Sequence, residues 1–387
     1  MSAGTSSAPR LWCARLTLTD FRNHEALDLA LEPRTVCLFG PNGAGKTNIL
    51  EALSMLAPGR GLRGAGLMEI ARGGEAQAQA RPRPWSVSAR IVLDGEERTL
   101  GVGAETTIDS AKRVARLDGQ PAQAGELARV ARMSWVTPAM DRLFAGSAGD
   151  RRRFFDRLAL GRAPEHARAA AAYERAMRER QRLLNDRRFD ENWLGGLERE
   201  MAAHGAALAA ARVETLCLLQ DAIAARPDGA FPKARIALEG ILEGRYLEGD
   251  KSADIEEDFV ISLRRDRPRD AAAGRAIDGP HRTDLKVWRA ANDMPADLCS
   301  TGEQKALLLG LVLAHARALA DDPGAGPALL LIDEAGAHLD PDRRAALYEE
   351  LAAAEGQSWL TGTDATLFEA IRNEALMYEV RDGKVLR

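Results

Sequence analysis

The four cysteines of this 387-residue chain, Cys13, Cys37, Cys217 and Cys299, are widely separated and form no CxxC pair. That spacing argues against a zinc site and against the disulfide framework of a secreted domain, and makes the cytoplasm the expected compartment. Sustained apolar runs are missing too. The most apolar stretch, LLLGLVLAHARALA at 307–320, is too short to span a bilayer and contains His315 and Arg317. The opening MSAGTSSAPRLWCARL lacks the basic stretch and apolar core of a secretory signal, so no membrane segment or export signal is expected. Nor is there a surplus of positive charge: the formal net charge is -4, and any nucleic-acid site must be a local basic surface. The composition, 45% hydrophobic and 28% charged, excludes general disorder, and the length allows two or three domains.

What is present changes character along the chain. Short β-rich runs open it, LTLTDF at 16–21, ALDLAL at 26–31 and TVCLF at 35–39, with more strand expected at 85–93 and 99–102. Residues 59–83, rich in Gly, Arg and Pro, read as loop with at most a short helix. From Gly149 to Pro227 the chain is rich in Ala, Arg, Glu and Leu, and two long helices are expected. In the second, Leu194, Leu197, Met201, Leu208, Ala211, Leu216, Leu219 and Ile223 form an apolar stripe, most simply packed as a helical hairpin. An acidic stretch at 239–258 is expected to be exposed. Strand candidates then return at DLKVWR (284–289) and ALLLID (328–333), with a helix at 303–320 between them. The expected organisation is one α/β nucleotide lobe built from 1–145 and 276–387, split by an inserted helical lobe at 146–275.

The strongest signal is GPNGAGKT at 40–47, which fits GxxxxGK[ST] and sits between a strand and a helix. Gly40, Pro41, Asn42, Gly43, Ala44 and Gly45 are expected to form the nucleotide-binding loop, with Gly40, Gly43 and Gly45 letting backbone N–H groups close around phosphate oxygens, Lys46 to reach the β- and γ-phosphates, and Thr47 to ligate Mg²⁺. In ALLLIDEAGAHLD (328–340) an apolar strand delivers Asp333 to hold Mg²⁺ through water and Glu334 as general base, with Asp333 and Lys46 counted among the catalytic groups. CSTGEQKALLLGLVLAHA at 299–316, with Ser300 lying 33 positions before Asp333, resembles the ABC signature motif. Taken alone, Ser300 and Glu303 also fit a helix capping box. The three elements in this order identify the chain as a member of the ABC-type ATPases, a P-loop lobe with a mixed β-sheet. In that class Ser300 and Gly302 face the γ-phosphate bound by a second subunit, and HLD at 338–340 resembles the D-loop, with Asp340 as a contact. The class usually has a His at its switch, whereas Thr361 or Thr363 stands here, and no unambiguous Q-loop Gln precedes the insert. A weakened γ-phosphate sensor fits slow, switch-like hydrolysis.

Lys46 and Ser300 are 254 positions apart, too far for a compact transporter head, yet the insert permits helices of only about 30 residues, or about 45 Å, far short of SMC-type coiled coils. This intermediate size, together with LTLTDFRNHEALDL (16–29), TPAMDRLFAGSAGDRRRFFDRL (137–158), DGPHRTDL (278–285) and CSTGEQK (299–305), resembles the RecF family over nearly the whole chain. The resemblance implies an ATP-dependent homodimer that binds double-stranded DNA and gapped junctions and works with RecR and RecO to load RecA in recombinational repair. It also implies a weak, DNA-stimulated ATPase acting as a switch, with Arg22 of FRN near the nucleotide. Independently of it, residues 151–190 hold twelve arginines against six carboxylates, making Arg151 and Arg152 candidate phosphate-backbone contacts. No aromatics alternate with those arginines, which points to duplex rather than single-stranded DNA. The alternative is the ATPase head of an overcoming-lysogenization-defect type nuclease, which would need a further nuclease domain.

Overall fold

The computed structural model describes residues 8–72, 84–106, 110–186, 190–337 and 339–386. They divide into two compact units: Met1–Asp141 with Pro227–Pro232 and Ser300–Arg387, and Arg142–Arg226 with Lys233–Cys299. In chain order the strands are β1 (Leu11–Phe21), β2 (His24–Ala30), β3 (Val36–Phe39), β4 (Ser86–Leu93), β5 (Glu96–Thr106), β6 (Ala111–Leu117), β7 (Gln120–Pro121) and β8 (Arg132–Val136). They continue with β9 (Ala234–Glu239), β10 (Asp284–Arg289), β11 (Met294–Pro295), β12 (Ala328–Ile332), β13 (Ser358–Gly362), β14 (Leu376–Arg381) and β15 (Lys384–Leu386).

The first unit contains two six-stranded sheets. One is antiparallel, in the order β2-β1-β4-β5-β6-β7; in the other, β14-β3-β13-β12-β8 run parallel and β15 closes the β14 edge as an antiparallel hairpin. The parallel strands read as unbroken apolar runs because both faces are covered, and every residue of ALLLI in β12 is buried. Leu38, Leu329, Leu331, Trp359 and Tyr378 of this sheet join Leu16, Leu18, Phe21 and Ile91 of the antiparallel sheet in one apolar core. Within 59–72 the only helix is the single turn Leu67–Ile70; the rest of the expected loop, 73–83, lies outside the described residues.

The second unit is built on three helices, Ala148–Arg162, His166–Asn185 and Glu191–Ala225, where two were expected, because the chain turns at Ala163 and Pro164. Tyr173, Ala176, Leu183 and Leu184 pack against Leu194, Leu197, Met201 and Leu208 across the hairpin, with Ile255, Phe259 and Leu263 closing the cluster. By length and composition Glu191–Ala225 is apolar enough to cross a membrane, but it serves here as the core helix of the unit and carries buried Glu198 and Arg212.

Two expectations are corrected in this unit. It extends past residue 275 to Cys299, because DLKVWR pairs as β10 with β9 and β11 in a three-stranded antiparallel sheet instead of joining the nucleotide lobe. The acidic stretch 239–258 is not simply an exposed segment either. It contributes to the helices Ile241–Leu247 and Ser252–Arg265, and Glu243 is fully buried. Its Oε1 accepts from Arg212 Nη1 at 2.7 Å, while Arg212 also grips Asp156 through two bonds of 2.7 and 3.0 Å. Nearby, Arg180 bonds Glu198 at 3.1 Å and Asp270 at 2.7 Å, so the apolar hairpin encloses an ionic ladder.

Burial alone would raise the Asp156 carboxyl, but the hydrogen bond from His166 and the charge of Arg212 outweigh it and hold the group at about 2. A carboxyl depressed in the fold contributes stability above its unfolded value near 4, and that contribution disappears as pH falls towards 2. In equilibrium urea unfolding, Asp156→Asn should cost about 2 kcal/mol at neutral pH, from 1.36 kcal/mol per pK unit, and the gap to the parent should close between about pH 4 and 2. A gap that stays constant over that range would show that the carboxylate charge is not what Arg212 holds.

Candidate functional site

The parallel sheet places its chemistry at the carboxyl ends of β3, β12 and β13, where β14 and β13 diverge from either side of β3 and α/β sheets open a crevice. β3 ends in the glycine loop, which runs into the helix Lys46–Ser54. A β-carbon at Gly40 would lie 2.2 Å from the Val380 carbonyl oxygen, so this position admits only glycine. Gly45 has φ +115°, and a β-carbon there would lie 2.8 Å from Asn23 and His24. Those residues form the β1–β2 turn, which straps the loop from behind. Asn23 donates to the Ala44 carbonyl at 3.0 Å, and the His24 ring bridges the carbonyls of Gly45 at 3.1 Å and Gly383 at 2.8 Å. Gly383 N–H, from the β14–β15 turn, donates to Ala44 as well, at 3.0 Å.

Lys46 is buried, its ammonium held by the carbonyls of Gly40 at 2.6 Å and Pro41 at 2.8 Å. Burial lowers its proton affinity, opposed by the charges of Asp333 and Glu334. The Thr47 hydroxyl donates to Asp333 Oδ1 at 2.9 Å, joining the loop to the end of β12. Thr361, on β13, donates to the same oxygen at 2.7 Å and accepts the Glu334 N–H at 2.8 Å. Glu334 is exposed beside them with φ 53°, a left-handed backbone that few non-glycine residues adopt. Of the two threonines considered for the switch, Thr361 is buried and fixes the Asp333–Glu334 pair, while Thr363 is exposed on the cleft wall.

The cleft therefore unites Asn42, Gly43, Gly45, Lys46, Thr47, Asp333 and Glu334, all expected from the sequence. Arg22 is not on its wall. Its guanidinium is held behind the wall by buried Glu51 at 2.9 and 2.6 Å and by the Glu69 carbonyl at 2.8 Å. Arg63, which sequence reasoning missed, lines the cleft instead, donating to Asn48 at 2.6 Å and to Glu51 at 3.0 Å. The only trace of it in the sequence was a basic residue in a glycine-rich loop shortly after the Lys46 helix. Arg22 and Arg63 thus share one carboxylate, and Glu51 holds the second at the lip.

Ser300, Gly302 and Asp340 do not line this cleft within a single chain. Ser300 caps the helix Thr301–Asp321: Glu303 N–H donates to its hydroxyl at 3.4 Å, and the Ser300 N–H donates back to the Glu303 carboxylate at 3.0 Å. Asp340 caps the helix Pro341–Ala352 by accepting from Arg343 N–H at 2.9 Å, and His338 lies outside the described residues. A larger cleft, of about 360 Å³, opens at the opposite ends of the parallel strands beside Arg34, Gln357 and Glu374, away from every motif above.

In the second unit, Arg151 gives two bonds of 2.8 Å to Asp284 and two more to the carbonyls of Phe144 and Gly146. Arg152 bonds the Thr283 carbonyl at 3.0 Å and is half-buried. Both tie the helix Ala148–Arg162 to the start of β10, so they are not the free basic surface expected of them; of the three consecutive arginines only Arg153 is exposed.

Residues 13–385 match the family model described as the RecF/RecN/SMC N terminal domain. The chain is 48% identical to the DNA replication and repair protein RecF of Rhizobium etli, over 96% of this chain and 98% of that one. It belongs to the RecF family. A second RecF, from Rhizobium rhizogenes, is 47% identical over 98% of this chain and 99% of its own length. Among solved structures, the recombination mediator protein RecF with ATPrS, from the RecFOR pathway, superposes with a TM-score of 0.80 at 21% identity, covering 97% of this chain and 98% of that chain. The Smc head domain of Pyrococcus furiosus follows at 0.53 and 16%, with 97% and 96% covered. The fold is thus the ABC-type ATPase head shared by RecF and SMC proteins, and this RecF-family chain is a DNA replication and repair protein.

Proposed function

We propose that the chain is an ATP-driven switch: ATP with Mg²⁺ joins two copies, the joined form binds duplex DNA and gapped junctions, and slow hydrolysis releases it. The carrying observation is the oxygen cluster in which the Thr47 hydroxyl, the Asp333 carboxylate and the Thr361 hydroxyl meet within 2.9 Å, with Lys46 and Glu334 on its flanks. A hydroxyl beside a carboxylate is a hard-oxygen donor set suited to Mg²⁺, which would neutralise developing phosphate charge. Thr47 and Asp333 would hold that ion. The N–H groups of the 40–45 loop and the positive end of the Lys46–Ser54 helix receive the phosphates, and Lys46 leaves its two carbonyls to meet the β- and γ-oxygens. Glu334 takes a proton from the attacking water.

Ser300 and Gly302 would contact the ATP of a second copy, and Asp340 would act in the same interface. DNA binding then depends on ATP and falls steeply with salt, as phosphate contacts require. Cooperation with RecR and RecO in loading RecA follows the family's place in recombinational repair. Sedimentation tests the core of this reading: ATP and Mg²⁺ together should convert monomer to dimer, while ATP without Mg²⁺ or Mg²⁺ alone should not. A monomer under all conditions would overturn it.

A further inference from the structure

Lys305 has no role in the site described so far, yet it is one of the most deeply buried charged side chains of its unit, with 1% exposure. It lies in the first turns of the Thr301–Asp321 helix, followed by the apolar run Ala306–Leu309. An ammonium in such surroundings is costly unless partners repay its lost hydration. Its partners are the Glu334 carbonyl at 3.3 Å and Asp141 Oδ1 at 3.7 Å. Asp141 Oδ1 is itself buried and accepts no hydrogen bond among the described residues. Burial lowers the Lys305 proton affinity, opposed by the charges of Asp141, Glu334 and Asp333.

The Glu334 contact falls at a strained place. With φ 53° the residue needs its surroundings to hold it, and both of its backbone polar groups are held: the N–H by Thr361 at 2.8 Å, the carbonyl by the Ala337 N–H at 3.0 Å within the turn and by Lys305 at 3.3 Å from outside it. Thr361 comes from the nucleotide sheet. Lys305 comes from the helix that Ser300 caps, about 7 Å of helical rise from Ser300. The Lys305 contact thus joins the start of that helix to the backbone that carries the Glu334 carboxylate.

We propose that Lys305 is a positioning residue for hydrolysis: by fixing the Glu334 carbonyl, it links the helix start that meets a second copy to the aim of the general base in its own chain. Asp141 holds the ammonium in place from the other side. A chain whose Ser300 is engaged therefore adjusts its own Glu334, so the two sites of a dimer sense each other through packed side chains.

This rests on the proposed role of Glu334, and the test separates the two. In the full-length protein, Lys305→Met keeps the stem but removes the charge and both contacts. A misplaced base should lower kcat by about tenfold or more while the ATP dissociation constant stays within about threefold. Asp141→Asn should give a smaller loss with the same split. In a Glu334→Gln background, Lys305→Met should add no further loss, because it acts through that carboxylate. The proposal is overturned by unchanged kcat in Lys305→Met, by a loss that follows ATP affinity, or by additive losses in the double variant. Should Lys305→Met fail to fold, Asp141→Asn carries the same test: loss of kcat at unchanged affinity supports the proposal, and wild-type turnover overturns it. If Glu334→Gln itself hydrolyses ATP normally, the general-base assignment has failed instead.

Discussion

Glu334→Gln should lower ATP turnover by about 10²–10⁴-fold, the usual contribution of a positioned proton acceptor, and leave ATP binding intact. The amide has the shape of the carboxylate and keeps the backbone hydrogen bonds to Thr361 and from Lys305, so the left-handed turn at 334 is undisturbed. What is lost is the ability to accept a proton from water. Because opening is proposed to follow hydrolysis, the ATP-bound dimer should accumulate. Phosphate release and sedimentation on the same sample give both readings. Turnover near the wild-type rate would mean that another group is the base, and rapid return to monomer without phosphate release would uncouple opening from hydrolysis.

A mixture of two inactive variants should regain an ATP-dependent dimer. Ser300→Arg places a bulky cation at the capped start of the Thr301–Asp321 helix, where the second copy's γ-phosphate is proposed to approach. ATP should still bind each monomer, but dimerisation and hydrolysis should fail. Lys46→Ala removes the ammonium that Gly40 and Pro41 hold ready, so that variant should lose ATP binding by orders of magnitude while its Ser300 stays sound. Mixed together, the first contributes a working loop and the second a working signature, and one composite site can form. Labelled subunits would reveal the heterodimer by energy transfer that appears only with ATP and Mg²⁺. If Ser300→Arg alone dimerises and hydrolyses ATP at the normal rate, the Ser300–Glu303 capping box has no further function and the two-copy mechanism is wrong.

The parts of the site that were legible in the sequence are those where the chemistry is contiguous. The glycine loop at 40–47 carries its own donors, and the apolar run before Asp333 announces a buried strand that ends at the carboxylates. Contacts that need the sheet to form were hidden. Thr361 could not be separated from Thr363 until pairing of β13 with β12 and β3 placed it beside Asp333. Arg22 and Arg63 both reach for Glu51, a helix residue whose burial no local pattern discloses, so the hold on Arg22 and the place of Arg63 on the cleft wall were hidden in the sequence. Lys305 stands in the CSTGEQK motif, where nothing in the sequence shows that its ammonium turns inward. In the second unit the apolar stripe of Glu191–Ala225 was visible, but the ion pairs of Arg180 with Glu198 and Asp270 and of Arg212 with Asp156 and Glu243 were not, since charged residues at helical spacing usually mark a solvated face. The pairing of β10 with β9 bridges 44 or more intervening residues, a distance over which strand pattern gives no register.

Tight hairpin turns are ordinarily where a protein accepts an inserted tag or fluorophore without harm. The β1–β2 and β14–β15 turns break that rule, since Asn23, His24 and Gly383 clasp the carbonyls of Ala44 and Gly45 from behind the glycine loop. A reporter placed in either turn would act as an inhibitor, and a signal from it would describe a damaged loop. The turns at Gly95 and Gly119 are different: they open to space, with no atom within 4 Å of a β-carbon at either, although φ of +86° and +80° requires both glycines to stay. A label inserted beside these glycines, with the glycines themselves kept, should leave the nucleotide loop undisturbed.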